Sequence, residues 1–144
     1  PSIAIPIGML VAIVVAAFGM NIHVPTNTAT VHAATIDQSP PFDSPGVTMV
    51  EPGYYRAVII GQAWSFTPNE VRLPPGSKLE IIATSRDVIH GFRIEGTNVN
   101  VMLIPGRIAQ VEARFDKPGE YLIVCHEYCG IGHHAMYGKV IVEE

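Results

Sequence analysis

The segment Val124-Cys125-His126-Glu127-Tyr128-Cys129-Gly130-Ile131-Gly132-His133-His134-Ala135-Met136 holds both cysteines of the chain. Cys129 follows Cys125 by four positions, His133 follows Cys129 by four, and Met136 lies three further on. Two thiolates, an imidazole and a thioether form a soft ligand set, which selects copper over magnesium, calcium or manganese. Gly130 and Gly132 let the segment fold back tightly enough for these donors to converge. The ordinary alternative for two cysteines in an exported domain is a disulfide. A disulfide needs neither a histidine nor a methionine at fixed distances, whereas a copper site uses both. A structural zinc would take four Cys or His ligands and leave the Met136 thioether idle. Gly130-Ile131-Gly132 is no dinucleotide fingerprint, because no helical pattern follows it.

The local donors are too few for a pair of metals, so a distant one is expected. His90, in Asp87-Val88-Ile89-His90-Gly91-Phe92, stands at the start of a strand pattern. A lone histidine there also suits a core or surface position. It is, however, the only histidine between residues 33 and 125, and a β-sandwich gathers its loops at one end, where a soft site needs imidazole. His126 and His134 are expected to face solvent if Cys125 and His133 point inward.

These donors need a rigid frame, and the rest of the sequence reads as short strands. Tyr54 to Gln62, Leu79 to Ser85, Gly91 to Glu95, Val99 to Ile104, Ile108 to Phe115, Glu120 to Cys125 and Tyr137 to Val142 are β-rich. The pairs Pro75-Gly76, Pro105-Gly106 and Pro118-Gly119 punctuate them. Ala109 to Phe115 alternates apolar with polar residues, the period of a strand with one face on a core and one in water. Many short strands at this spacing predict an all-β fold, an antiparallel sandwich or Greek-key barrel of about 90 residues. No helix of useful length is expected after residue 24.

Ahead of that domain the composition changes twice. The chain has 9 Lys and Arg, 13 Asp and Glu and a net charge of -4, yet Asp37 is its first charged residue. Ile3 to Met20 is an apolar run broken only by Pro6, and it meets the threshold of about 18 residues for a membrane-spanning helix. A secretory signal peptide is the alternative, but no basic flank precedes the run and it exceeds the usual apolar length of such peptides. The expected organisation is a transmembrane helix over 1–24, with His23 at the water interface. A Pro-, Thr- and Ser-rich extended connector carrying His32 follows over 25–53, and a β-domain over 54–144. With 48% hydrophobic and only 15% charged residues the chain is too apolar for a disordered protein. It has no basic surface for a phosphate backbone, which excludes nucleic acid as the main partner.

Cys125-x-Glu127-x-Cys129-x3-His133-x2-Met136, preceded by Val88-Ile89-His90-Gly91-Phe92, closely resembles the dinuclear copper A motif of subunit II of haem-copper cytochrome c oxidases. The resemblance runs from the apolar N-terminus through to Val140-Ile141-Val142. A single apolar run, with Gln62-Ala63-Trp64-Ser65-Phe66 and Glu95-Gly96-Thr97-Asn98, is most similar to the B-type branch. It implies a cupredoxin-like domain in which Cys125 and Cys129 bridge two coppers and His90 and His133 each bind one. Met136 would be a weak ligand to one copper and the backbone carbonyl of Glu127 a weak ligand to the other. In A-type members the side chain at the Glu127 position also reaches a magnesium at the boundary with subunit I. Others have Gln there, which leaves magnesium open here.

The resemblance further implies an electron-input subunit in the plasma membrane of a prokaryote, single-pass, with its C-terminal copper domain on the periplasmic side. Electrons would come from cytochrome c or a similar small carrier and pass to haems in subunit I, where oxygen is reduced and protons are pumped. Trp64 and Phe66 are the expected point of electron input. They stand where the family often has a richer tryptophan cluster, and a purely structural core role is the alternative for Trp64. Two other functions compete. A membrane-tethered copper chaperone would need the helices of a thioredoxin-like fold and usually a Pro after its cysteine motif, where this chain has Gly130. A mononuclear blue-copper carrier using His90, Cys129, His133 and Met136 leaves Cys125 unexplained.

Overall fold

Within Arg107–Phe115, Ala109, Ala113 and Phe115 are buried while Gln110, Glu112 and Arg114 face water, so the alternation in the sequence is the alternation of a strand. The computed structural model of the chain describes residues 3–19 and 26–144. Its strands are β1 (Thr26–Thr30), β2 (Gly46–Glu51), β3 (Tyr54–Gln62), β4 (Ser65–Thr67), β5 (Glu70–Leu73), β6 (Ser77–Ser85), β7 (His90–Ile94), β8 (Asn100–Leu103), β9 (Arg107–Phe115), β10 (Gly119–Val124) and β11 (Tyr137–Val142). One sheet has the order β1-β9-β6-β3-β2, with β4 added to β3, and the other the order β5-β11-β10-β7-β8.

The core lies between the sheets. Leu79, Ile81 and Phe115 from the first meet Phe92, Ile94, Leu103 and Ile123 from the second, all with 1% or less of their surface exposed. Each such Leu, Ile or Phe contributes about 1.5–3 kcal/mol of transfer free energy. This core carries the end of the sandwich on which the cysteine loop is mounted.

The sheets are not purely antiparallel as the strand pattern suggested. β3 and β6 run parallel from Tyr54 opposite Lys78 to Gly61 opposite Ser85, and β5 runs parallel to β11. The chain leaves β3, visits the other sheet as β5 and returns as β6, a crossover that sets the two strands in the same direction. Side-chain periodicity is blind to strand direction, which is why the sequence could not display it.

The connector expected over 25–53 is corrected by the structure. β1 pairs with β9 and β2 with β3, and Ile36 and Phe42 are buried against Val58 and Ile60 in a second, smaller core. Arg86 grips Asp37 through both terminal guanidinium nitrogens, at 2.6 and 2.5 Å. The segment is therefore a strap folded onto the outer face of the first sheet. Proline and threonine dominate its composition and conceal the few apolar residues that anchor it.

The apolar N-terminal run forms helix α1 (Ala4–Gly19). None of its side chains is buried. At 1.5 Å per residue it is about 24 Å long, against about 30 Å of bilayer hydrocarbon. Among the described residues no helix is long and apolar enough to cross a membrane. Met20 and His23 lie outside the described residues.

Gly138 marks a tight junction between β11 and the chain entering β5. A Cβ there would sit 2.5 Å from the backbone oxygen of Asn69, and the neighbouring Lys139 N–H donates to that same oxygen at 2.8 Å. Gly138→Ala forces backbone to move, so it is expected to destabilise the domain by about 1–3 kcal/mol. Thermal unfolding checks this, and an unchanged midpoint would show that the junction yields freely.

Candidate metal centre

β10 ends at Val124 and β11 begins at Tyr137, so the two strands hold both ends of the cysteine loop. The Cys125 N–H donates to the Met136 carbonyl at 3.3 Å and closes its base. Inside, the His133 N–H donates to the Gly130 carbonyl at 3.1 Å and the Ala135 N–H to the Gly132 carbonyl at 3.0 Å, a short turn that swings His133 back toward the cysteines. Gly130 has φ +116°, a conformation that side chains with a Cβ rarely adopt. At Gly132 a Cβ would lie 2.4 Å from the indole of Trp64. The two glycines therefore serve a loop folded under a tryptophan.

The structure brings the expected donors together. Sγ of Cys125 and Sγ of Cys129 are 3.7 Å apart, against about 2.05 Å for a disulfide, and both thiols are free and buried. Nδ1 of His133 lies 3.6 Å and Sδ of Met136 3.7 Å from Sγ of Cys129. The Cys125 thiol donates to the backbone carbonyl of Glu127 at 3.3 Å. From β7, the strand beside β10 in the same sheet, His90 places Nδ1 4.0 Å from Sγ of Cys125. One donor atom each from His90, Cys125 and Cys129 lies within 4.8 Å of the others. Met136 is 2% exposed and His90 fully buried, so water has little access to the cluster.

Asp87, which the sequence reading left without a role, prepares His90. Its Oδ1 lies 2.9 Å from Nε2 of His90. Burial pushes the Asp87 carboxyl up, but hydrogen bonds from the Ala63 N–H, from His90 and from the Val88 N–H outweigh it and hold the group below its ordinary value. An ionised carboxylate only accepts, so Nε2 donates its N–H to Asp87 and Nδ1 is the ring nitrogen that faces the sulfurs. An aspartate three positions before a histidine was the signal available in the sequence.

Burial, followed by the adjacent Cys125 thiol, pushes Cys129 up to about 11. The metal-free cluster therefore holds a protonated Cys129 at neutral pH, and a metal must displace that proton to bind. Two sulfurs 3.7 Å apart, an imidazole nitrogen facing them and a buried thioether fit copper by donor type.

Other residues fall elsewhere. His126 and His134 are exposed, and the ring of His126 covers Gly91. His32 and Glu127 are exposed. Trp64 is 40% exposed, and its indole N–H donates to the Cys129 carbonyl at 3.0 Å. Phe66 is 2% exposed and packs edge-on against Phe92 at 5.2 Å. The expectation that both aromatics face a donor is corrected for Phe66, because alternate residues share a face only within one strand and Trp64 lies in the turn before β4.

A mixed β-sandwich that presents thiols, imidazoles and a thioether at one end defines a cupredoxin-like domain with a donor set suited to copper. Auracyanin A, a blue copper protein from Chloroflexus aurantiacus, shares the fold at 14% identity, with a TM-score of 0.51 over 62% of this chain and 99% of that one. The family described as cytochrome c oxidase subunit II, periplasmic domain, matches residues 54–144. Cytochrome c oxidase subunit 2 of Thermus thermophilus is 40% identical over 116 residues, 79% of this chain and 86% of that protein. A solved heme-copper terminal oxidase dimer matches at 39% identity with a TM-score of 0.81, over 99% of this chain and 94% of that one. The chain belongs to the cytochrome c oxidase subunit II family.

Proposed function

We propose that this chain accepts electrons one at a time from cytochrome c or a similar small carrier at a dinuclear copper centre and delivers them to a haem-bearing subunit I. The observation that carries the reading is the convergence of two free thiols, two imidazoles, a thioether and a backbone carbonyl in one water-poor cluster. Cys125 and Cys129 would bridge the metals, His90 and His133 would each bind one, and Met136 and the Glu127 carbonyl would be the weak ligands. Bound there, the copper pair supplies a one-electron carrier. The chain's own part is to hold these donors in place: β7, β10 and β11 fix the loop ends, Asp87 fixes the His90 ring, and burial keeps water out. Such a frame changes little between redox states, and that favours fast transfer. The exposed carboxylate of Glu127 is the group that would reach a magnesium at the boundary with subunit I.

A single-pass anchor in a prokaryotic plasma membrane, with the copper domain on the periplasmic side, completes the proposal. Uncharged α1, with no buried side chain, and a match to the solved oxidase that includes this region support it. Gly8, Ala12, Ala16, Ala17 and Gly19 permit close packing on helices of a larger subunit.

Electron paramagnetic resonance with copper analysis on the full chain is the test. Two coppers per chain and hyperfine splitting from both nuclei are expected, and one copper with four-line splitting would establish the mononuclear alternative. Solubilisation of the native membrane in mild detergent is expected to bring down a haem-containing polytopic protein with the chain. Recovery as a haem-free monomer would sink the assignment.

A further inference from the structure

Three close donors from two stretches of the chain, with the Ser85 hydroxyl more distant at 3.4 Å, converge on the carboxylate of Asp87. Its Oδ1 accepts from the Val88 N–H at 2.7 Å and faces Nε2 of His90 at 2.9 Å. Its Oδ2 accepts from the Ala63 N–H at 2.7 Å. Ala63 immediately precedes Trp64 in the turn between β3 and β4, and the indole of Trp64 lies over Gly130 and Gly132 of the cysteine loop. We propose that Asp87 is a positioning residue that joins the His90 imidazole and the Trp64 turn into one rigid brace. A single side chain then ties His90 to the turn that carries the half-exposed ring, alongside the indole's own hydrogen bond to Cys129. The inference deepens the reading above and rests on it only in treating His90 as a ligand.

The surroundings of Asp87 suit a brace. The preceding residue, Arg86, is anchored on both sides: its N–H donates to the Gly61 carbonyl at 2.9 Å, and its guanidinium is held by Asp37 of the strap. The carboxylate thus projects from a loop that is itself held, toward a fully buried ring on one side and a backbone N–H on the other. Each oxygen is engaged in a different direction. An amide offers one acceptor oxygen where the carboxylate offers two, so asparagine must surrender one arm and point N–H groups at a donor. Alanine surrenders both.

Two measurements on the metal-free full chain read the brace without reference to copper. Emission from Trp64, the only tryptophan in the sequence, reports the turn, and nitrogen-15 resonances of the His90 ring report its protonation and hydrogen bond. In the unaltered chain Nε2 is expected to be protonated and Nδ1 bare. Asp87→Ala is expected to change both the emission and the His90 resonances, and Asp87→Asn, which conserves shape, to change at least one. A third measurement, titration with copper ions against a competing chelator, is expected to show about 10–100-fold weaker binding in Asp87→Ala. If Asp87→Ala alters only one of the two metal-free signals, or Asp87→Asn alters neither, the brace is overturned. If both signals change while copper affinity stays within twofold, the brace stands and His90 is overturned as a ligand.

Discussion

Cys125→Ser and Cys129→Ser are each expected to abolish the two-nucleus copper signal of the full chain. A serine hydroxyl is hard, stays protonated at neutral pH and cannot bridge two soft ions as a thiolate does. The two sulfurs lie 3.7 Å apart in the middle of the cluster, so on the proposed dinuclear reading losing either would remove a donor shared by both metals. Met136→Leu differs in kind. Its Sδ lies 3.7 Å from Cys129 and is buried, and leucine fills a similar volume at a cost of less than about 1.5 kcal/mol. Copper is expected to be retained there, with a shifted reduction potential, as follows if Met136 is the weak ligand proposed. His126→Asn and His134→Asn, at exposed positions, are expected to leave the spectrum nearly intact. Copper loss in either would mean that the wrong imidazoles have been named as ligands.

This contrast reflects what the sequence could express. Five of the proposed ligand groups belong to one continuous loop, so their spacing is visible in the primary structure and the loop folds back as its glycines allow. His90 comes from a strand of the same sheet far away in sequence, and neither its neighbours nor its periodicity distinguish a ligand from a core histidine. Its identity rested on resemblance and on the expectation that loops meet at one end of a sandwich. Asp87 was harder still, because its role depends on Ala63 and His90 lying on either side of it, a relation created only by tertiary folding. Long strands were legible, β9 by its alternation and β3 and β6 by their continuous runs of β-branched and other apolar residues. β5 is four residues long and β2 sits in a proline-rich stretch, so each owes its conformation to a neighbouring strand more than to its own pattern. Ile36 and Phe42 carry too little apolar surface in sequence to announce that they cap the first sheet.

Trp64→Ala in the full chain is expected to slow the second-order oxidation of a reduced small cytochrome c by at least about tenfold, the loss of a central aromatic contact of roughly 1.4 kcal/mol or more. The ring is 40% exposed and hydrogen-bonded to the carbonyl of the proposed ligand Cys129. A carrier docked on its outer face therefore meets a hydrogen-bonded route through the Cys129 backbone toward its sulfur. Tyr128 and Ile131, exposed by 75% and 82%, add apolar surface on the same cysteine loop. With a net charge of only -4, association is expected to weaken moderately, not steeply, as salt is raised. The copper spectrum should survive the substitution, because the indole bonds to the backbone carbonyl of Cys129 and not to its sulfur, and stability should fall by one part-exposed hydrogen bond, about 0.5–1.5 kcal/mol, together with the ring's packing on Gly130 and Gly132. Trp64→Phe separates the two contributions: it loses the hydrogen bond but keeps a ring over Gly132, so its rate should lie between those of the parent and the alanine variant. A parent-like rate in Trp64→Ala, accompanied by a large fall in the midpoint, would make Trp64 a packing residue for the cysteine loop and place electron input elsewhere on the surface.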